Sequence, residues 1–373
     1  MDKLRINFLM PCYAWAPSGG FRVVYEYANQ LASRGHQVAV IHPRRLEEVK
    51  TNPSTMRQWI RKKRTWLQEL VFTPGIEWQR IDPRVRLLFV PSSNARHIPD
   101  GDVLFATGWH TVPSVLTCSP EKGEQCYMIQ HYEVWQGPKG VVDAGWRSQL
   151  HKVVVSKWLL QVGRDLGCEH LVYIPNAIDL NKFHLTAPIE GRAPHVAMLF
   201  ADGSIKGVAE GIEALVVAKQ TFPDLRATLF GVPRRRSWIP KWIEYYCNPP
   251  QEFLVNEIYN KAAVFLSPSW SEGFALPPAE AAACGSAVVA TDSGGIRDYI
   301  EHGVTGLLSA PKDARALGEN LCMLLANEHF RVRLAKACKE VVSEFSWVRN
   351  ADLMEKFLGE VASHDQGASS VSV

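Results

Sequence analysis

The stretch HVAMLFADGSIKGVAEGIEALVVAKQTFPDLRATLF, residues 195–230, decides the fold. It opens on a continuous apolar run, His195 to Phe200, with no polar alternation, the pattern of a strand buried on both faces. A polar turn follows, Ser204-Ile205-Lys206-Gly207, and then a helical pattern over 208–220. Pro223-Asp224 marks a second turn, and Leu225 to Phe230 is a second apolar strand. Strand, turn, helix, turn, strand is the opening β-α-β of a doubly wound parallel sheet. The first part of the chain begins the same way. A strand at 6–10 leads to the turn Ser18-Gly19-Gly20, a helix over 21–34, the turn Arg34-Gly35-His36 and a strand at 37–41. Further continuous apolar runs stand at 102–106, 152–156, 263–267 and 287–291. The chain therefore reads as two doubly wound units in tandem.

Length and composition agree. With 373 residues and 46% hydrophobic content, the chain is too long for one core and rich enough for two. A net charge of +3 over this length excludes a histone-like, polyanion-coating protein, and no nucleic-acid partner is expected. No apolar run reaches the ~18 residues of a membrane span. The apolar start IleAsnPheLeuMet (6–10) lacks a cleavage pattern and reads as a first strand rather than a signal peptide. Eight scattered cysteines without a C-x-x-C pair exclude a zinc ribbon and disfavour a disulfide scaffold. A polar stretch after Pro175-Asn176-Ala177-Ile178-Asp179 marks a linker. The expected plan is a first domain over 1–178, a second over 179–345, a C-terminal helix over 346–363 returning to the first domain, and a disordered tail over 364–373.

The chemistry concentrates in SPSWSEGFALPPAEAAACGSAVVATD, residues 267–292. A buried strand ends at Ser267, a loop with Gly273 follows, and Pro277-Pro278 opens a helix that places Glu280 in its first turn and stops at Gly285. Loop and helix start form an anion site of backbone N–H groups. Glu272 and Glu280 flank it, and acids repel phosphates but accept hydrogen bonds from hydroxyls. A ligand that carries both phosphates and hydroxyls, a nucleotide sugar, satisfies both. Taken alone, Glu280 reads as an acid complementing a helix dipole and Glu272 as a turn residue.

The whole string changes that balance. SEGFALPPAEAAACGSAVVAT resembles the signature of family 4 retaining glycosyltransferases, with its E-x7-E pair at Glu272 and Glu280. The likeness continues through Ser293-Gly294-Gly295-Ile296-Arg297-Asp298 and His302-Gly303-Val304-Thr305-Gly306-Leu307-Leu308, and touches 174–179 and the Gly19-Gly20 loop. It implies the GT-B fold, two Rossmann-like domains facing a central cleft. It implies that Glu272 lies at the reaction centre, that Glu280 binds the ribose hydroxyls, and that the backbone of Gly273, Phe274, Ala275 and Leu276 approaches the donor. A lysine of that family sits against the diphosphate and corresponds to Lys206. The family places an arginine five residues earlier, where this chain has Ala201, so Arg234, Arg235 or Arg236 would have to replace it, or Lys206 acts alone. The charged run reads equally as a solvated loop.

In the first half, Gly19 and Gly20 open a helix and admit close approach of a phosphate or acceptor, or simply make a tight turn. His131 and Glu133 end the run MetIleGlnHisTyrGlu (128–133), and the resemblance implies a contact of His131 with the donor sugar. Gly108-Trp109-His110-Thr111 follows a strand and could line an acceptor site. No metal-ligand cluster and no Asp-x-Asp near a phosphate site is found, so no metal and no cofactor beyond the nucleotide-sugar co-substrate is expected. The resemblance implies a cytoplasmic, metal-independent hexosyl transfer with retention to a glycan or lipid-linked acceptor, in bacterial surface polysaccharide or lipopolysaccharide synthesis. A sugar-nucleotide epimerase of the same fold and a non-catalytic nucleotide-sugar-binding subunit are the alternatives. A dehydrogenase is disfavoured because no G-x-G-x-x-G follows the first strand. Residues 56–71 place Trp59, Ile60, Trp66, Leu67 and Leu70 on one helical face beside Arg57, Arg61, Lys62 and Arg64, which suits peripheral contact with the inner face of a membrane or ordinary packing on the first domain.

Overall fold

The computed structural model describes residues 2–13, 15–47 and 75–368. The segment 56–71 lies outside the described residues. By its internal contacts the chain divides into two compact units. The first comprises the residues up to Met128, Glu133–Lys152 and those from Glu355 on, and the second comprises Ile129–Tyr132 and Val153–Met354.

The elements of the first part are β1 (Arg5–Leu9), α1 (Gly19–Ser33), β2 (Gln37–Pro43), β3 (Arg86–Val90), β4 (Val103–Ala106), α2 (Val112–Leu116), β5 (Glu124–Ile129), α3 (Lys139–Trp146), β6 (His151–Val154), α4 (Lys157–Asp165) and β7 (Leu171–Tyr173). Their sheet runs in the order β3-β2-β1-β4-β5-β6-β7. The neighbours from β3 to β5 pair in parallel, with Ile6 opposite Val38 on one side and opposite Val103 on the other. Ile6, Phe8, Val40, Val103, Leu104 and Phe105 are fully inaccessible, as continuous apolar strands between two helical layers must be.

The second part contains β8 (His195–Leu199), α5 (Val208–Thr221), β9 (Arg226–Gly231), β10 (Glu244–Cys247), β11 (Val264–Ser267), α6 (Leu276–Ala283), β12 (Ala287–Thr291), β13 (Leu307–Ser309), α7 (Ala314–Ala326), α8 (Glu328–Ser343) and α9 (Trp347–Ala368). The sheet order is β10-β9-β8-β11-β12-β13, and all neighbours are parallel. Its core joins Val196, Met198, Leu229, Val264, Leu266 and Val289 to helix residues Ile212, Leu215, Leu317, Leu321 and Leu334. Burial of each such side chain stabilises by roughly 1.5–3 kcal/mol against exposure.

In both sheets the strand order reverses between the first strand and the fourth, β1 beside β4 and β8 beside β11. Ligands of such sheets bind in the crevice that opens beyond the carboxyl ends at that reversal. In the second unit those ends carry the Lys206 turn and the Glu272 loop.

The sequence expectation differs from the structure at two points, the turn that holds Glu280 and the end of the last helix. Helix α6 begins at Leu276, so its first turn holds Pro277 and Pro278 and no acid, and Glu280 stands one turn further in. Pro277 and Pro278 do stand in the first turn, as expected, and Ala275 before them enters the helix through left-handed backbone, φ +69°. Helix α9 runs to Ala368, beyond the expected end at 363. All eight cysteines are free thiols, and among the described residues no helix is long and apolar enough to cross a membrane.

Candidate functional site

Lys206 closes a 3-10 turn, Ser204–Lys206, and Gly207 then leaves it at φ +59° to start α5. Two constraints fix this turn. The Trp270 N–H donates to the Ile205 carbonyl at 2.7 Å. A Cβ on Gly207 would stand 1.9 Å from the carbonyl oxygen of Pro268. Only glycine tolerates both the left-handed backbone and that approach. The loop after β8 is thus clamped onto the loop after β11, and the same loop carries Glu272 two residues beyond Trp270.

Glu272 is fixed by its main chain. Its N–H donates to the Ser293 carbonyl at 2.8 Å, and its carbonyl accepts from Gly295 N–H at 3.1 Å. Gly294 has φ +89°, and a Cβ there would strike the Trp158 indole at 2.6 Å. A Cβ on Gly295 would meet the Gly273 carbonyl at 2.1 Å. The run Ser293-Gly294-Gly295 is glycine-rich because two backbones and an indole converge on it. From this frame the Glu272 carboxylate reaches Lys206 Nζ at 2.8 Å, with side-chain exposures of 17% and 31%. Such a half-open pair contributes little to stability. The pair stands at the carboxyl ends of the adjacent strands β8 and β11, where ligands of such sheets bind.

His131 completes this group. It belongs to the second unit, and its imidazole lies against the backbone of Ser271 and Tyr132 and packs edge-on to Trp158 at 5.6 Å. Burial lowers it to about 4, although the Glu272 charge pulls it upward. The imidazole is therefore neutral near pH 7. Gly273 lies against the same segment, because a Cβ would be 1.8 Å from the Gln130 carbonyl.

Glu280 is 5% exposed and accepts a hydrogen bond from the Tyr259 hydroxyl at 3.2 Å. Phe274 is buried, with Tyr299 and Phe345 rings at 5.5 and 5.4 Å, so it offers a ligand only its main chain. The Tyr299 hydroxyl donates to the Ala275 carbonyl and holds the left-handed residue in place. Leu276 is half-buried at the start of α6. The Thr291 hydroxyl donates to the Ser269 carbonyl and ties the loop to β12.

The structure brings Lys206, Glu272 and His131 together and sets Glu280 on the adjoining helix. Gly19 lies in the other unit at the start of α1, with open space where a Cβ would be. The arginine run is divided in its tasks. Arg235 donates to the carbonyls of Ile243, Ile239 and Pro240 and so folds its own loop. Arg236 pairs with Asp202 at 2.5 Å, next to Ala201, and Arg234 is exposed. Tyr259, Trp158, Tyr299 and Thr291 were not legible as site residues, since each is an ordinary core or strand residue by its local pattern. Among the described residues no cluster of His, Cys, Asp or Glu could hold a metal ion.

Residues 201–341, which include Lys206, Glu272 and Glu280, match the family model described as glycosyl transferases group 1. A D-inositol 3-phosphate glycosyltransferase of Xylanimonas cellulosilytica is 30% identical over 217 residues, 52% of this chain and 51% of that protein. Another of Frankia alni is 40% identical over 93 residues, 25% of this chain and 23% of that protein. An N,N'-diacetylbacillosaminyl-diphospho-undecaprenol alpha-1,3-N-acetylgalactosaminyltransferase of Campylobacter jejuni is 38% identical over 80 residues, 21% of each. The matches thus span between a fifth and about half of these relatives. Among solved structures, sucrose-phosphate synthase from Thermosynechococcus elongatus superposes with a TM-score of 0.74 at 19% identity, over 97% of this chain and 100% of that one. The Anabaena protein HepE in complex with UDP-glucose gives 0.71 at 14% identity, over 96% and 100%. The fold is GT-B.

Proposed function

We propose that the chain is a retaining glycosyltransferase. It moves a hexose-type sugar from a nucleoside-diphosphate donor to a hydroxyl of a glycan or lipid-linked acceptor, in bacterial surface polysaccharide or lipopolysaccharide synthesis. The observation that carries this reading is the Lys206–Glu272 pair, 2.8 Å apart, at the carboxyl ends of the adjacent strands β8 and β11. It stands inside the segment that matches the glycosyl transferase model. The relatives named for inositol phosphate and undecaprenol-linked acceptors, and the neighbour holding UDP-glucose, support the substrate class.

Each group has a role that its position allows. Lys206 would leave Glu272 for the donor diphosphate and stabilise the charge that grows there as the sugar departs. Glu272 would then face the reacting sugar and offset its developing positive charge. Neutral His131 would contact the donor sugar without adding a charge. Glu280, already accepting from one hydroxyl, would accept from those of the ribose. The main chains of Gly273, Phe274, Ala275 and Leu276 would approach sugar and diphosphate, and Gly19 and Gly20 would admit a ligand to the other unit. In the transfer, the acceptor oxygen bonds to the anomeric carbon on the face the phosphate leaves. The bond to the phosphate oxygen breaks, and that oxygen takes the acceptor's proton. Rate comes from orientation and from stabilising the leaving group.

No metal is required by this scheme, because Lys206 and the backbone amides carry the counter-charge. Membrane contact through residues 56–71 and an inner-face, cytoplasmic location complete the proposal. The test is turnover of UDP, GDP, dTDP and ADP sugars in EDTA, with donor hydrolysis as the readout. Release of nucleoside diphosphate from one of them is expected. Absence of turnover with all four, or turnover that only a divalent metal restores, would contradict it.

A further inference from the structure

The ends of β8 and β9 are pinned together. The Phe200 N–H donates to the Phe230 carbonyl at 2.7 Å, and a Cβ on Gly231 would stand 2.0 Å from the Phe200 carbonyl oxygen. The loop 201–206 after β8 and the loop 232–243 after β9 therefore start side by side. The second of them folds on itself. Arg235 donates to three of its carbonyls, those of Ile239, Pro240 and Ile243, and the Tyr245 hydroxyl donates to the Pro233 carbonyl. The Trp238 ring lies 6.0 Å from that of Phe200 and fastens the loop to the end of β8.

This frame carries Arg236 across to the first loop. Its Nη2 donates to Asp202 Oδ2 at 2.5 Å, with side-chain exposures of 46% and 56%. Lys206 belongs to the same short loop. Its N–H donates to the Gly203 carbonyl at 3.1 Å, and a Cβ on Gly203 would stand 3.3 Å from Lys206 Cγ. Two cations thus meet the dipeptide Asp202-Gly203, Arg236 at its acid and Lys206 with its stem against its glycine. Each is held by one carboxylate, Asp202 or Glu272, and each side chain keeps surface open to solvent. The bland alternative is an ion pair that only ties two loops. An exposed pair of this kind contributes little to stability, and Arg235, Tyr245 and Trp238 already hold the loop.

We propose that Arg236 is a second phosphate-binding residue of the donor site, taking oxygens of the diphosphate together with Lys206, and that Asp202 is the counter-ion it gives up on binding. A nucleoside diphosphate carries more than one negative charge. A planar guanidinium meets two phosphate oxygens at once, where a lysine acts as a point charge. The Asp202 carboxylate orients the guanidinium in the ligand-free protein and competes with the incoming phosphate for the same donors. Arg236 thereby joins the donor site of the glycosyl-transfer reading, on which this assignment rests.

Breaking the ion pair from either side separates phosphate binding from a structural role. Calorimetric titration of UDP, GDP, dTDP and ADP in EDTA is carried out on the wild type, Arg236→Ala, Asp202→Asn and Lys206→Ala. The nucleotide that binds the wild type should bind Arg236→Ala about tenfold more weakly. Asp202→Asn loses the same ion pair and should bind it about threefold more tightly, because the competing charge is gone. A pair that only ties loops would make the two variants behave alike. Unchanged affinity in Arg236→Ala, or a loss in Asp202→Asn equal to that in Arg236→Ala, would overturn the assignment. If Lys206→Ala weakens binding in that event, the donor reading stands without Arg236. Failure of every nucleotide to bind the wild type would contradict the donor reading and the assignment with it.

Discussion

The two β-α-β openings read alike in sequence and differ in what their glycines do. Gly207 is compelled: left-handed backbone and a carbonyl 1.9 Å from any Cβ leave no alternative. Gly19 stands in ordinary helical backbone at the start of α1, with nothing within 4 Å of a Cβ. The first glycine serves packing between two loops of the site. The second leaves room, and room next to a helix start is what an incoming ligand uses. A glycine in a turn is therefore ambiguous until its surroundings are known.

That contrast breaks most sharply under substitution. Gly207→Ala should lower unfolding stability by more than about 3 kcal/mol, since backbone strain and a clash with backbone add. Thermal or urea unfolding checks it, and a loss under about 1 kcal/mol would mean the loops can part.

Next in size is the acid response of two histidines, one in each unit. Burial lowers His42 to about 4 and His131 to about 4. As pH falls through 6.5 the unfolded chain takes up protons that the native chain refuses until about 4. Stability present at neutral pH is thus lost across that window, by roughly 3 kcal/mol per histidine. His131→Asn and His42→Asn should each flatten the slope of stability against pH between 6.5 and 4. Only His131→Asn should also impair donor turnover. Equal effects on turnover would erase the distinction between the two units.

Glu272→Gln should lower the turnover number about a hundredfold with a smaller change in donor affinity, because its charge matters most in the transition state. Steady-state kinetics with donor varied is the readout. A wild-type rate would reduce Glu272 to a turn acid. Smallest of all, Gly19→Ala should change stability by less than about 0.5 kcal/mol while raising the Michaelis constant of whichever ligand uses that space. Unchanged kinetics would make Gly19 a plain turn.

How far the sequence could be read follows from where each signal is stored. The central strands β1, β2, β8, β9, β11 and β12 stood out because both their faces are buried and their residues run apolar without interruption. The edge strands β3 and β10 were missed: Glu244–Cys247 is half-exposed and lacks that pattern, whereas Arg86–Val90 carries the apolar run Leu87 to Val90 and was passed over. Lys206, Glu272 and Glu280 were legible through a motif, but the turn occupied by Glu280 was not. The helix start depends on Ala275 adopting a conformation that Tyr299 secures from a distance. Tyr259 and Trp158 reach the site only because sheet order brings remote segments together, and no local spacing encodes that.

The central claim is that the second unit binds a nucleoside diphosphate sugar through Lys206 beside Glu272 and through Glu280. Calorimetric titration of UDP, GDP, dTDP and ADP, in EDTA, into the wild type and into Glu280→Gln tests it most directly. Glu280→Gln leaves an acceptor for the Tyr259 hydroxyl, so the variant should fold. The account predicts that one nucleotide binds the wild type without metal and binds Glu280→Gln at least about tenfold more weakly, the loss expected for a hydrogen bond to a charged acceptor. Equal affinity in the two proteins, or no binding of any nucleotide to the wild type, would contradict it.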